Sequence, residues 1–166
     1  MELDHRSPLI PILSQASTYH RTYYSADDAR GSYRLDGSRC EDITQLTFPD
    51  NSIDLIVSSD VLEHVPDGPA AFRETYRVLK PGGMHLFTVP TYEKTVKRAE
   101  IVGGKISFLI EPEYHSDPLN PAGILAFWDY GKDLDTIFQD SGLKFSIATG
   151  PHGKDQRIVW KAEKLR

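Results

Sequence analysis

Residues 48–90 read FPDNSIDLIVSSDVLEHVPDGPAAFRETYRVLKPGGMHLFTVP and carry a strand, a helix and a second strand in legible order. Pro49, Asp50 and Asn51 supply a turn. The run 53–58 that follows is apolar, β-branched and too short for an independent helix, so it predicts a buried strand. From Asp67 or Pro69 to Leu79 the apolar residues Ala71, Phe72, Tyr76, Val78 and Leu79 fall mostly three and four apart, while Arg73, Glu74, Arg77 and Lys80 can face water. That spacing predicts an amphipathic helix. It stops at Lys80-Pro81-Gly82-Gly83, where proline cannot continue the hydrogen-bond ladder and glycine tolerates a left-handed turn, and 84–89 resumes a strand pattern. Strand, helix and strand in this order predict a parallel pair joined by a right-handed crossover, the unit of an α/β sheet.

The chain has 166 residues, 39% hydrophobic and 26% charged, which suits one domain over residues 1–166 with a sizeable core. A net charge of -5 argues against a nucleic-acid partner, since phosphate backbones are held by clustered Lys and Arg. It favours a small-molecule substrate. No apolar run approaches a membrane span, and residues 1–6 are not followed by the apolar stretch of a signal peptide, so the expectation is a cytoplasmic protein away from membranes. Cys40 is the one cysteine and reads as a buried small residue; no cluster at metal-ligand spacing accompanies it.

Outward from the central stretch, Leu9, Ile10, Ile12 and Leu13 form a helix-compatible stripe, and 21–26 reads as a strand ended by Asp27 and Asp28. Carboxylates there sit at the carboxyl edge of a sheet, which lines the ligand crevice in open α/β folds. Residues 29–38 read as a polar loop and 39–46 as a further strand and turn containing Asp42. Beyond Pro90 the pattern dissolves into an insertion of about 91–123, long enough to carry function or structure of its own. A helix over 133–140 and a hairpin of strands 144–149 and 156–162 close the chain.

IDLIVSSDVLEHV followed by RVLKPGGMHLFTVP resembles the class I S-adenosylmethionine-dependent methyltransferases, in the type 11 style. The resemblance implies a Rossmann-like fold, mostly parallel with an antiparallel last strand, and S-adenosylmethionine as cofactor. It implies that Asp27, with Asp28 as the neighbouring candidate, accepts from the ribose hydroxyls. Asp42 would accept from the adenine amino group, with the Ile43 N-H donating to a ring nitrogen. Ser58, Ser59 and Asp60 would approach the methionine part. His64 and His115 are the candidates for catalysis, because an imidazole exchanges protons near neutrality. For His64, in its Glu63-His64 pair before the Val-Pro turn, a structural or cofactor-side role is the competing reading. The insertion would carry acceptor specificity through Glu113, Tyr114 or His115, and Trp128, Asp129 and Tyr130 form a second candidate pocket group.

One part of the family pattern is missing. The glycine-rich turn after the first strand is absent, since the first glycine is Gly31, and the fold is expected to be N-terminally incomplete. A lost central strand needs a replacement, either Leu9 to Leu13 as an irregular strand or a segment of a second copy or partner subunit. Two functions follow as expectations: an active methyltransferase, or a non-catalytic methyltransferase-like subunit that binds cofactor weakly or not at all.

Overall fold

The structure is a computed structural model that describes residues 1–4, 6–117, 120–152 and 157–166, with the side chains at 117, 120, 151, 152 and 157 outside that description. In chain order the elements are α1 (Ile10–Leu13), β1 (Thr22–Tyr23), β2 (Arg39–Cys40), β3 (Ile53–Ser59), α2 (Gly68–Val78) and β4 (Leu79–Thr88). The insertion, which in the structure runs on past 123 to Gly131, contributes β5 (Thr91–Tyr92), β6 (Val96–Lys97), β7 (Ala99–Val102), β8 (Lys105–Phe108), β9 (Tyr114–Asp117), β10 (Asn120–Leu125) and β11 (Trp128–Gly131). α3 (Leu134–Ile137), β12 (Lys144–His152) and β13 (Arg157–Glu163) complete the chain.

The decisive stretch folds as its residues dictate. Asp67 caps α2 by accepting from the Ala70 N-H at 2.9 Å, Pro69 occupies the first turn, and Ala71, Phe72, Thr75 and Val78 are buried on one face. Arg77 donates to the Leu46 and Phe48 carbonyls and pairs with Glu74 and Asp50, which staples the helix to the chain entering β3. β3 and β4 pair in parallel from Leu55 against Met84 to Ser59 against Thr88, with an irregularity before Leu55. The strand begins earlier than the sequence pattern suggests, at Leu79 rather than 84, and the Pro-Gly-Gly lies within its irregular start. Gly83 is required there: a Cβ would stand 2.9 Å from the Lys80 carbonyl oxygen and 3.0 Å from that of Asp54.

β13 pairs antiparallel with β4, and β12 antiparallel with β13, so the last strand reverses direction in an otherwise parallel arrangement. β1 and β2 pair in parallel. The expected gap between the two parallel halves is filled from the chain itself, but not by the expected segment. Leu9 to Leu13 is not an irregular strand; it is the single-turn helix α1, with Pro11 near its start. Residues Met1 to Leu3 lie between β1 and β3 instead, with Glu2 bridged in parallel to Arg21 on one side and Val57 on the other. The backbone ladder is continuous. Glu2 N-H donates to the His20 carbonyl, Thr22 N-H to Glu2, Leu3 N-H to Val57 and Val57 N-H to Met1, all between 2.8 and 3.0 Å. A second copy is not needed to close the sheet, whose order is β2, β1, Met1–Leu3, β3, β4, β13, β12.

Other boundaries move as well. The strand expected over 21–26 shortens to β1, and the helix expected over 133–140 is the single turn α3 followed by a 3-10 turn at Gln139–Ser141. The hairpin expected from strands 144–149 and 156–162 is β12 against β13, and its connection falls partly outside the described residues. Among the described residues only α2 exceeds four residues of helix, and none is long and apolar enough to cross a membrane. The core gathers Ile53, Ile56, Phe72, Leu79, Phe87, Tyr130, Phe138 and Trp160. Cys40 is fully buried, as its composition suggested.

Candidate functional site

A crevice of about 620 Å³ opens at the carboxyl ends of the parallel strands. Its wall is built by strand ends: Thr22, Tyr23 and Tyr24 from β1, Glu41 to Thr44 after β2, Asp60 and Val61 after β3, and His64 to Asp67 before α2, with Ile101, Ile124 and Phe127 from the insertion. Among the described residues four acidic residues line it, Glu41, Asp42, Asp60 and Asp67, and no lysine or arginine does; the Glu41 carboxylate itself is buried against Arg39 and Thr47, which leaves three acidic side chains for the crevice.

Asp42 combines two roles that its sequence left open. Its Oδ1 accepts from the Thr44 N-H at 2.8 Å and from the Thr44 hydroxyl at 2.7 Å, which closes a turn and holds the carboxylate in the crevice wall. The turn uses the N-H groups of Thr44 and Gln45 and leaves that of Ile43 out of its bonding. Asp60 follows β3 with φ 51°, a left-handed conformation uncommon for a side-chain-bearing residue, and its backbone N-H donates to the Thr88 carbonyl at 2.9 Å. The strand end is therefore turned sharply into the crevice.

The other candidates lie elsewhere. Asp28 accepts from the Tyr23 hydroxyl at 2.9 Å and pairs with Arg34 at 3.0 Å, and these two bonds hold its carboxyl below the usual range. Asp27 is exposed on the loop beyond, and neither aspartate lines the crevice; Tyr24 stands there instead. Two residues of β1 are too few to carry the strand out to Asp27. Ser58 turns its hydroxyl into the sheet, 2.8 Å from His85 Nε2, and Ser59 is exposed at the strand end; neither lines the crevice.

His64 and His115, fifty-one positions apart in the chain, are brought together with ring centroids 4.9 Å apart at 78°. Glu63, 1% exposed, is their hub. Its Oε1 lies 3.9 Å from His64 Nε2 and 3.8 Å from His115 Nδ1, while His115 Nε2 lies 3.5 Å from Glu113. The 3-10 turn Leu62–His64 presents the first two, and β9 presents the third. The insertion is clamped onto that turn: Phe127 N-H donates to the Glu63 carbonyl, Tyr130 hydroxyl to Leu62 and Trp128 Nε1 to Pro66, at 2.7, 3.3 and 3.3 Å. Trp128 and Tyr130 thus anchor the insertion, and Tyr130 is fully buried. The sequence places Glu63 next to His64, but nothing in it could place residue 115 beside them. Asp67 reads from sequence only as a helix cap.

A family profile described as a methyltransferase domain matches residues 15–87. That match spans less than half of the chain and is a likeness to the methyltransferase-domain family. A phosphoethanolamine N-methyltransferase of Arabidopsis thaliana is 49% identical over 47 residues, which cover 28% of this chain and 10% of that protein. The chain spans well under half the length of the curated relatives it matches. Among solved structures, a putative methyltransferase in complex with the Haloferax volcanii Trm112 methyltransferase activator superposes with a TM-score of 0.59 at 15% identity, covering 99% of this chain and 81% of the other. The [4+2]-cyclase SpnF superposes with a TM-score of 0.57 at 16% identity, covering 99% and 73%. These likenesses are of fold.

Proposed function

We propose that the chain is the cofactor-binding unit of an S-adenosylmethionine-dependent methyltransferase, and that the crevice takes the cofactor. The observation that carries this reading is the wall itself: a cavity of about 620 Å³ at the carboxyl ends of parallel strands, lined among the described residues by the acidic side chains of Asp42, Asp60 and Asp67 and by no basic side chain but His64. A sulfonium-bearing nucleoside is a cation with an adenine at one end, and this lining suits both parts. Asp42 would accept from the exocyclic amine, the Ile43 N-H would donate to a ring nitrogen, and Asp60 and Asp67 would favour the positive charge. The ribose end fits less well, because Asp27 and Asp28 stay outside and no glycine turn precedes Ser7.

When bound, the cofactor supplies a methyl group activated on a sulfonium centre. The chain's own residues would contribute position: the insertion covers the crevice through Ile101, Ile124 and Phe127 and excludes water, while His64, which lines the crevice with His115 packed beside it, would hold an acceptor's proton. The acceptor is a small molecule in this reading. The similarity to a phosphoethanolamine methyltransferase spans too little of either chain to name it, and the cyclase on the same fold is a reminder that the fold leaves the reaction open. The missing glycine turn, together with the fold's likeness to a methyltransferase seen with an activator protein, supports a second reading in which a partner subunit is needed for turnover.

Calorimetry with S-adenosylmethionine tests the proposal. Asp42→Ala should weaken binding by about 1 to 3 kcal/mol, the cost of removing a half-buried acceptor that the ligand would cover. Binding that is saturable and indifferent to Asp42 returns that residue to its turn-closing role alone; no binding in the wild type, with or without an activator, removes the proposal.

A further inference from the structure

Glu63, His64 and His115 offer one carboxylate oxygen and two ring nitrogens that all lie within 4.8 Å of one another. Their orientation is what makes the set unusual. His64 Nδ1 is 2.9 Å from the Leu125 carbonyl oxygen, which can only accept, so Nδ1 carries a proton and the lone pair of the neutral ring is on Nε2. Nε2 is the atom that faces Glu63. The two separations from Glu63 Oε1, 3.9 and 3.8 Å, exceed the roughly 3.2 Å limit of a good N-H···O bond, so a proton on either ring bridges them poorly.

A metal ion fits better. Imidazole nitrogen and carboxylate oxygen bind divalent zinc-like ions at about 2.0 to 2.2 Å, so two donors can share one ion when they stand up to about 4.2 Å apart. Both separations from Glu63 meet that bound, and the three donor atoms all lie within 4.8 Å of one another. The supporting contacts are those of a ligand set: the ring nitrogen of His64 that points away from the set donates to a backbone carbonyl, and the one of His115 lies 3.5 Å from the Glu113 carboxylate. Burial of Glu63 at 1% exposure excludes competing water from one side.

We infer that Glu63, His64 and His115 form a binding site for a divalent first-row transition ion. Two imidazoles and one carboxylate select such ions over calcium or magnesium, which prefer all-oxygen sets. His64 is the member that lines the crevice, so the ion sits at the crevice wall, where an oxygen of the acceptor would complete its coordination. That last clause rests on the proposed function; the site itself does not.

The test uses the full chain stripped with a chelator and then titrated with zinc by calorimetry and with cobalt by visible absorption. One ion per chain is expected, with affinity falling at least tenfold in His115→Ala and in Glu63→Gln, and unchanged in His20→Ala. Because Glu63 is buried, its variant is judged only if its circular dichroism matches the wild type; His115, 25% exposed on β9, supplies the variant that decides. Cobalt bands typical of nitrogen and oxygen ligands that vanish in His115→Ala support the site. Absence of saturable binding, or affinity untouched by His115→Ala, overturns it. S-adenosylmethionine calorimetry in excess chelator reads the crevice separately, so the two readings fail independently.

Discussion

Acidification should unfold this protein through one buried imidazole. His85 sits in the middle of β4 with no exposed surface; its Nε2 is 2.8 Å from the Ser58 hydroxyl, and its Nδ1 has no partner among the described residues. Burial, and secondarily the N-terminal ammonium, lower its pKa from 6.5 to about 3. The folded state therefore holds the ring neutral while the unfolded chain protonates it at an ordinary pH. The stabilisation is fully present above about 6.5 and is lost as the pH falls from there towards 3, at about 1.4 kcal/mol per pH unit. Between pH 8 and pH 5 that comes to roughly 2 kcal/mol, a substantial part of the 5 to 15 kcal/mol by which domains are stable. Urea denaturation at pH 8, 6.5 and 5 should show the wild type losing about 2 kcal/mol more than His85→Gln, which keeps a partner for Ser58 and does not titrate. Equal pH dependence in the two proteins, or a native His85 ring signal titrating near 6.5, would refute the reasoning.

Three further outcomes follow from the clamp on the insertion. A Cβ at Gly131 would stand 2.2 Å from the Lys94 carbonyl carbon and 2.4 Å from the Thr95 nitrogen, so Gly131→Ala should pry β11 from the segment joining β5 and β6; a loss of about 1 to 3 kcal/mol in a thermal or urea melt is expected. Tyr130→Phe removes one buried hydroxyl that donates to Leu62 and should cost about 1 kcal/mol, read the same way. In hydrogen exchange, 126–131 should be protected like the sheet, whereas β7 and β8, exposed along most of their length, should exchange quickly and slow when the crevice is filled.

The part of the fold that sequence could show is the part with enough residues per element to have a period. β3, α2 and β4 run seven, eleven and ten residues, and their apolar spacing is visible in the order of the residues alone. Met1 to Leu3 is too short for any alternation, so its place in the centre of the sheet is set by neighbours on both sides and not by its own pattern. The insertion hides for the same reason: its strands are two to six residues long. Asp60 and His64 could be placed at the crevice because they follow β3, a recognisable strand, whereas Asp42 and Ile43 follow only the two residues of β2 and are placed by the family resemblance. Asp27 could not, because the length of β1 decides whether a residue four positions past Tyr23 reaches the edge, and two paired residues do not bring it there. His115 reaches Glu63 through a fold of the insertion that no local signal announces.

The sheet is mechanically lopsided. On one flank β3, β4, β13 and β12 are held by registers of five or more paired residues, while on the other β1 and β2 share two, and the ladder joining the flanks runs through the bridge at Glu2. The turn bearing Asp42 hangs from the thin flank. Fraying should begin there, and a ligand gripped by Asp42 and Ile43 would have to tie the frayed edge down in order to bind. Part of its affinity would then be consumed in ordering those strands, and what it returns is heat resistance: the melting point of the thin flank becomes a readout of occupancy.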